Sequence, residues 1–190
     1  MVIQRSFAAL CVVVCLWVGA GWAVAQEGEV DVELEQRRLV IDTNAQRALD
    51  ELMSSNDGAK TLYGQAQGYA VFTATKAGFL VTGGGGTGVV IDKDTGNRVY
   101  MRMGTGGVGF GIGAQTYDLV ILFETEPVLA AFMDGGWDSS ATAQAAAGQE
   151  GITVTSSFID GMAFYQITDK GLMAVADVAG TRFWVAGKLN

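Results

Sequence analysis

The hydrophobic and polar positions of the chain follow two different periods, one before and one after about residue 68. Between residues 30 and 52, apolar residues recur at spacings of three, four and seven, which is the period of an amphipathic helix. They are Val30, Leu34, Ile41, Ala45, Ala48 and Leu52. The pattern predicts a helix over about residues 31–53, ended by the polar run 54–58, and a short second helix over residues 59–66.

The polar side of the first predicted helix carries charges of both signs. Glu33–Arg37 and Arg47–Glu51 are each four residues apart, the spacing of ion pairs on a helix surface. An amphipathic helix can also lie on a membrane, but helices of that kind are usually rich in Lys and Arg on the polar face. The mixed charge therefore favours a helix that packs on its own domain.

From residue 69 onward the period is that of β-strands. About eight strands are predicted, at residues 69–73, 77–82, 87–91, from 98, 118–123, 155–168, 171–178 and 181–186. One short helix, residues 128–133 with Thr125 as its N-cap, interrupts them. Helices followed by a run of strands predict an α+β fold, in which N-terminal helices pack on a glycine-rich, strongly bent or barrel-like, mostly antiparallel sheet.

Glycines dominate residues 104–115, which read GTGGVGFGIGAQ. Gly104, Gly106 and Gly109 satisfy the dinucleotide-binding spacing G-x-G-x-x-G, but no helical pattern follows them, so a phosphate-binding loop is disfavoured. From Gly107 to Gly113 the glycines alternate with apolar residues, which makes one face of a strand bare backbone. Such a face predicts close packing by another segment, and room for an acyl chain is the alternative.

Residues 1–25 have the layout of a secretory signal peptide. Arg5 precedes a long apolar run that ends in Ala23-Val24-Ala25, and the next charged residue is Glu27. We expect cleavage before Gln26, with an uncleaved membrane anchor as the competing interpretation. The predicted domains are then the leader 1–25, an N-terminal amphipathic helix region 26–58, and a domain over 59–190. The predicted location is outside the cytoplasmic membrane, in the periplasm if the source is a double-membrane bacterium.

Composition excludes several kinds of chemistry. The chain has no histidine, and its two cysteines, Cys11 and Cys15, lie in the predicted leader, so nucleophile–histidine catalysis and His or Cys metal sites are excluded. The carboxylate pairs Glu124/Glu126 and Asp134/Asp138 remain, but helix capping accounts for most of them. We therefore predict no enzyme, no cofactor and no metal site, with a carboxylate-dependent hydrolase as a weak alternative.

The charge balance disfavours nucleic acid as a partner. The formal net charge is −8 at pH 7, and loss of Arg5 with the leader would leave 11 basic against 20 acidic residues, or −9. Such a surface repels nucleic acid and anionic membranes on average. The sequence also contains no run of basic residues that would form a local exception.

Several strings together resemble the SYLF domain, also called the Ysc84-type lipid-binding domain. They are YAVFTATKAGFLVTGGGGTGVVI from Tyr69, VGFGIGAQTYDLVILFET from Val108, GW at 136–137, DKGLMA at 169–174 and GTRFW at 180–184. The resemblance covers about residues 59–184, in order and with similar spacing. Members of this family often have proline where Thr73 stands. The eukaryotic lipid contact lies in a basic N-terminal segment, which is replaced here by the leader and an acidic stretch.

The resemblance implies an exported, non-enzymatic domain that binds phospholipid or another amphiphile. Phosphoinositide and actin binding, known for eukaryotic members, are not carried over because the basic segment is missing. Lys76 and Lys170 are candidate contacts for a headgroup phosphate, and Phe79 and Trp137 are candidate borders of an acyl groove. For each of them a solvated turn or a core position is the competing explanation. The alternative function is a structural or protein-interaction module of the cell envelope.

Overall fold

The computed structural model describes the backbone of residues 8–138, 157–168, 171–174 and 180–190. The chain divides into two compact units, residues 1–39 and residues 40–190. Three helices are described: α1 (Ala8–Ser55), α2 (Asp57–Gln65) and α3 (Glu126–Gly135). Helix α1 begins well before the predicted residue 31, because no proline interrupts residues 8–55 and the apolar run joins the amphipathic pattern directly.

The buried stripe predicted for α1 is confirmed within the second unit. Ala45, Ala48 and Leu52 are all buried, and Leu49 is buried with them. In the first unit, Arg37 donates to Glu33 across the predicted four-residue spacing at 2.7 Å. Helix propensity and packing of the apolar stripe thus act together in α1.

Six strands are described, and every pairing between them is antiparallel. They are β1 (Gly68–Asp92), β2 (Arg98–Phe123), β3 (Trp137–Asp138), β4 (Met162–Thr168), β5 (Gly171–Ala174) and β6 (Thr181–Val185). The sheet order is β3-β6-β2-β4-β5, with β1 also paired to β2. The α+β class and the mostly antiparallel sheet are therefore confirmed.

The first five predicted strands are in fact two long ones. Strands β1 and β2 form a hairpin around the turn at residues 93–97, and their register runs from Ile91 opposite Arg98 to Gly68 opposite Phe123, with one shift between Gly78 and Leu80. The tetraglycine 83–86 does not separate two strands as predicted. Its backbone groups stay in the ladder, because glycine lacks a side chain but keeps the N–H and C=O that pairing requires.

Strand β1 folds back on itself, and glycine makes this possible. A Cβ atom on Gly84 would lie 2.6 Å from the Thr75 carbonyl oxygen, and one on Gly86 would lie 2.3 Å from that of Thr73. Gly88 meets the Val71 carbonyl oxygen in the same way, at 2.2 Å. The second half of β1 therefore packs with its bare face directly against the backbone of the first half, which confirms the strongly bent sheet.

Aromatic side chains fill the inside of this bend, and α3 contributes one of them, Phe132. Phe132 of α3 packs against Phe123 and Phe183, with ring centroids 4.9 Å and 5.3 Å apart, and Phe72 lies 4.8 Å from Phe183. Thr125 precedes α3 as predicted, but its side chain makes no capping hydrogen bond. Pro127 in the first turn sets the start of the helix instead.

Candidate lipid-binding surface

Two of the four predicted contact residues lie in the bent part of β1. Lys76 is partly exposed and stands opposite Gln115 of β2. Phe79 occupies the position between Gly78 and Leu80 where the register shifts, and its side chain lies outside what the structure describes. A register shift bends a strand locally and re-aims its side chains. The role of both residues in lipid binding stays a prediction.

Trp137 packs on the core side of the sheet. It is partly buried, and its ring lies 5.5 Å from that of Phe164 and 6.0 Å from that of Phe183, between centroids. These are aromatic contacts of ordinary geometry, so packing in the core is enough to explain why a tryptophan stands at this position. Lys170, the fourth predicted contact, lies outside the described residues.

One polar link between α1 and the sheet is centred on Asp118 of β2. Asp118 is buried and accepts hydrogen bonds from Arg47 of α1 and from the Thr73 hydroxyl, each at 2.6 Å. The hydrogen bond and charge of Asp118 raise the pKa of Arg47. The predicted Arg47–Glu51 pair is also present, but at 3.5 Å and on the exposed side of the helix. Arg47 therefore mainly ties the helix to the sheet.

A second polar link borders an open cleft of about 640 Å³ between α1 and the sheet. Arg98 donates to Asp42 at 2.7 Å, and the Tyr100 hydroxyl donates to the same oxygen at 3.1 Å. Tyr69 also lines the cleft, and burial raises its pKa. Both arginines of the cleft, Arg47 and Arg98, already bind carboxylates. Their role is therefore to attach α1 to the sheet, and the cleft is not an anion-binding site.

The turn between β1 and β2 satisfies its own carboxylate. The Asp92 side chain accepts from the backbone N–H groups of Asp94 and Thr95 and from the Thr95 hydroxyl, and the Thr95 bonds lower the pKa of Asp92. Lys93 donates to the carbonyl oxygens of Tyr63 and Ala66 at the end of α2. The charged residues of this turn thus stabilise local structure.

An exposed tryptophan that is not among the four predicted contacts lies on the outer face of the sheet. Trp184 of β6 is 42% exposed, and Phe183 beside it is buried. Arg102 of β2 lies opposite Trp184, and Gly104 lies opposite Arg182. We call these four residues, Arg102, Gly104, Arg182 and Trp184, the outer β2–β6 face. The period-2 pattern of TRFWV is the signal that could have identified it, since it places Trp184 opposite to the apolar Phe183.

Among the described residues, no group of three or more His, Cys, Asp or Glu side chains is arranged to hold a metal ion. Of the carboxylates considered for acid–base work, Glu126 lies in the first turn of α3, and Asp138 is 3.7 Å from Arg182. Among the residues whose side chains the structure describes, which begin at residue 31, no helix is both long and apolar enough to cross a membrane.

Comparison with known proteins gives one family. Residues 104–190 match the family model described as "Ysc84: Las17-binding protein actin regulator". The chain is 35% identical over 169 residues to "Beta cell expansion factor A" from Aeromonas veronii, a match that covers 86% of this chain and 65% of that protein.

Vertebrate relatives match a shorter part. The chain is 43% identical over 76 residues to "SH3 domain-containing YSC84-like protein 1" from Xenopus laevis, which is 38% of this chain and 23% of that protein. The human protein of the same name is 34% identical over 98 residues, or 47% of this chain and 29% of that protein. The matches therefore span less than two thirds of the length of these relatives. Residues 104–190 therefore carry a Ysc84 (SYLF) domain match, and the strings that resemble this domain extend over about residues 59–184.

Proposed function

We propose that this protein binds phospholipid or another amphiphile in the cell envelope and carries out no covalent chemistry. The observation that carries the proposal is the Ysc84 domain match at residues 104–190, because this family is associated with lipid or actin-related binding. The family model is described as a Las17-binding protein and actin regulator, which is a binding or regulatory role. The missing histidine agrees with a binding role, because it removes the commonest general base.

The location is part of the same proposal. The layout of residues 1–25 supports export, with removal of the leader before Gln26. An exported protein meets phospholipid at the surfaces of the membranes that enclose its compartment. The binding partners of the longer relatives are not part of this proposal.

Apolar burial is expected to supply most of the affinity. A net charge of −8 works against anionic vesicles as a whole, whereas burial of acyl carbon contributes about 0.8 kcal/mol per CH₂. Phe79→Asp should then weaken binding more than Lys76→Ala does. Raising the salt concentration should change the affinity only weakly, because few ionic contacts are involved.

The test is vesicle co-flotation across a salt series, combined with extraction of lipid from the purified protein. Lipid that co-purifies, and binding that survives salt, would support the proposal. A steep loss of binding with salt would contradict the apolar mechanism.

A protein-interaction module is the second candidate, and the description of the family model as a Las17-binding protein favours it. Absence of vesicle binding in folded, lipid-free protein, together with a stable protein partner, would establish this alternative. Phospholipid binding that survives removal of co-purified proteins would exclude it as the main role.

A further inference from the structure

We propose that the outer β2–β6 face is the surface that rests on a phospholipid bilayer, with Trp184 entering the interface and Arg102 and Arg182 contacting headgroup phosphates. The inference rests on the proposed function and places it at residues that neither the resemblance nor the comparisons assign. Three observations carry it: the exposure of one large aromatic ring, the two cations beside it, and the bare backbone around them.

The exposure of Trp184 follows from the strand and not from poor packing. Thr181 and Phe183 of β6 point inward and are buried, while Arg182 and Trp184 point outward. The ring has a definite seat, because a Cβ atom on Gly104 would lie 3.2 Å from its Cη2 atom and 3.3 Å from its Cζ3 atom. Tryptophan combines an apolar ring with a polar N–H, and this combination favours membrane–water interfaces.

The cations of this face are available to an anionic partner. Arg182 is near Asp138 at 3.7 Å, but the two side chains are 73% and 49% exposed, so this pair holds the guanidinium only weakly. Arg102 is exposed and forms no ion pair with any residue that the structure describes. Two neighbouring guanidinium groups match phosphate oxygens well. They also form a local positive patch on a chain whose net charge is −8.

The surroundings of the face fit a flat, extended partner. Across the β1–β2 ladder, Gly85 lies opposite Gly104 and Gly83 lies opposite Gly106. Nothing lies within 4 Å of a Cβ atom built on Gly83 or Gly106, so those positions are open space. Because these positions carry no side chains, they do not keep Trp184 from contacting a flat surface. A bilayer surface is such a plane, whereas a globular protein partner would usually fill the bare area with side chains of its own.

The experiment measures binding of the full chain to vesicles of phosphatidylcholine alone and of phosphatidylcholine with phosphatidylglycerol. Trp184→Ala should reduce binding to both about five- to tenfold, as expected for losing part of a buried aromatic side chain. Trp184→Phe should recover part of the loss. Arg102→Gln should reduce binding about fivefold on the anionic vesicles and less on the neutral ones.

Lys60→Gln is the matched control for the charge. Lys60 is exposed and belongs to α2, which contributes no residue to the outer β2–β6 face. Lys60→Gln changes the net charge by the same amount as Arg102→Gln does. If Lys60→Gln and Arg102→Gln weaken binding equally, bulk charge is responsible and the specific contact is overturned. Melting curves identify any variant whose fold is lost.

The two proposals fail in different ways. Vesicle binding by the unaltered protein that is unchanged in Trp184→Ala and Arg102→Gln would overturn this surface and leave phospholipid binding standing. Failure of the unaltered protein to bind any vesicle would overturn phospholipid binding itself. Loss of a protein partner on Trp184→Ala, with vesicle binding intact, would assign the face to that partner instead and overturn the inference.

Discussion

Replacing Gly86 by alanine is the most direct test of how the sheet bends. The added Cβ atom would lie 2.3 Å from the carbonyl oxygen of Thr73 and 2.7 Å from both the Cα and the Cβ atom of Ala74. All three are backbone or first side-chain atoms, which cannot rotate away. The backbone angle φ at Gly86 is not positive, so alanine would suit the local conformation and only the contact would be wrong.

The size of the effect follows from these distances. Relieving the contact requires one half of β1 to move away from the other, in a region where the strand covers the buried core. Overpacking of this kind typically costs about 1–3 kcal/mol of unfolding free energy, and we expect a value near the upper end. For a chain of this size, each kcal/mol lowers the melting temperature by about 2–4 °C, so the loss should be about 6–12 °C.

Gly83 supplies the matched control within the same tetraglycine. A Cβ atom there has nothing within 4 Å, and alanine reduces the freedom of the unfolded chain, so Gly83→Ala should be neutral or stabilising by up to about 1 kcal/mol. Thermal melts and urea denaturation of both variants, followed by fluorescence, would measure the difference. If the two variants melt at the same temperature, the two halves of β1 do not pack backbone to backbone, and this account of the bend is wrong.

Three further outcomes are expected. Asp118→Asn should lower the free energy of unfolding in urea by about 1–3 kcal/mol, because it removes a charged partner of Arg47 from a buried site, whereas Glu51→Gln should change it little because that pair is exposed. Burial raises the pKa of the Tyr69 hydroxyl in the folded protein above its ordinary value. Its contribution to the free energy of unfolding is therefore complete below the pKa that it has in the unfolded chain, and is lost as pH rises through the pKa that it has in the folded protein. Tyr69→Phe should therefore lose less stability at alkaline pH, and an equal loss in both proteins would contradict this. Intact mass of the exported protein should show Gln26 at its start, and a membrane-bound chain that keeps residues 1–25 would indicate an anchor.

The sequence by itself determined the kinds of element and much of their placement. The spacing of Ala45, Ala48 and Leu52 identified the buried stripe of α1, because helix periodicity is a local property. The gap between the strands predicted at 87–91 and from 98 also located the turn after Asp92, whose polar residues bond within the turn itself. The family could be recognised because its strings occur in order along the chain.

The tertiary structure decided what the glycines do. In sequence, the four residues of the tetraglycine are identical, and the strand pattern predicts a break between two strands there. In the structure, Gly84 and Gly86 face the backbone of the first half of β1, whereas Gly83 and Gly85 face outward. Which face is crowded depends on where a segment about ten residues earlier crosses, and no local pattern contains that information.

The tertiary structure also decided which charged and aromatic residues are used for packing. Arg47 was expected to pair with Glu51 nearby, but its shorter bond is to Asp118, 71 residues further along the chain. Trp137 was a candidate for a lipid contact and packs against the core, while Trp184 stands outward. The two tryptophans differ in the side of the sheet that they face. That side is fixed by the register of β3 against β6 and of β6 against β2, which is a long-range property.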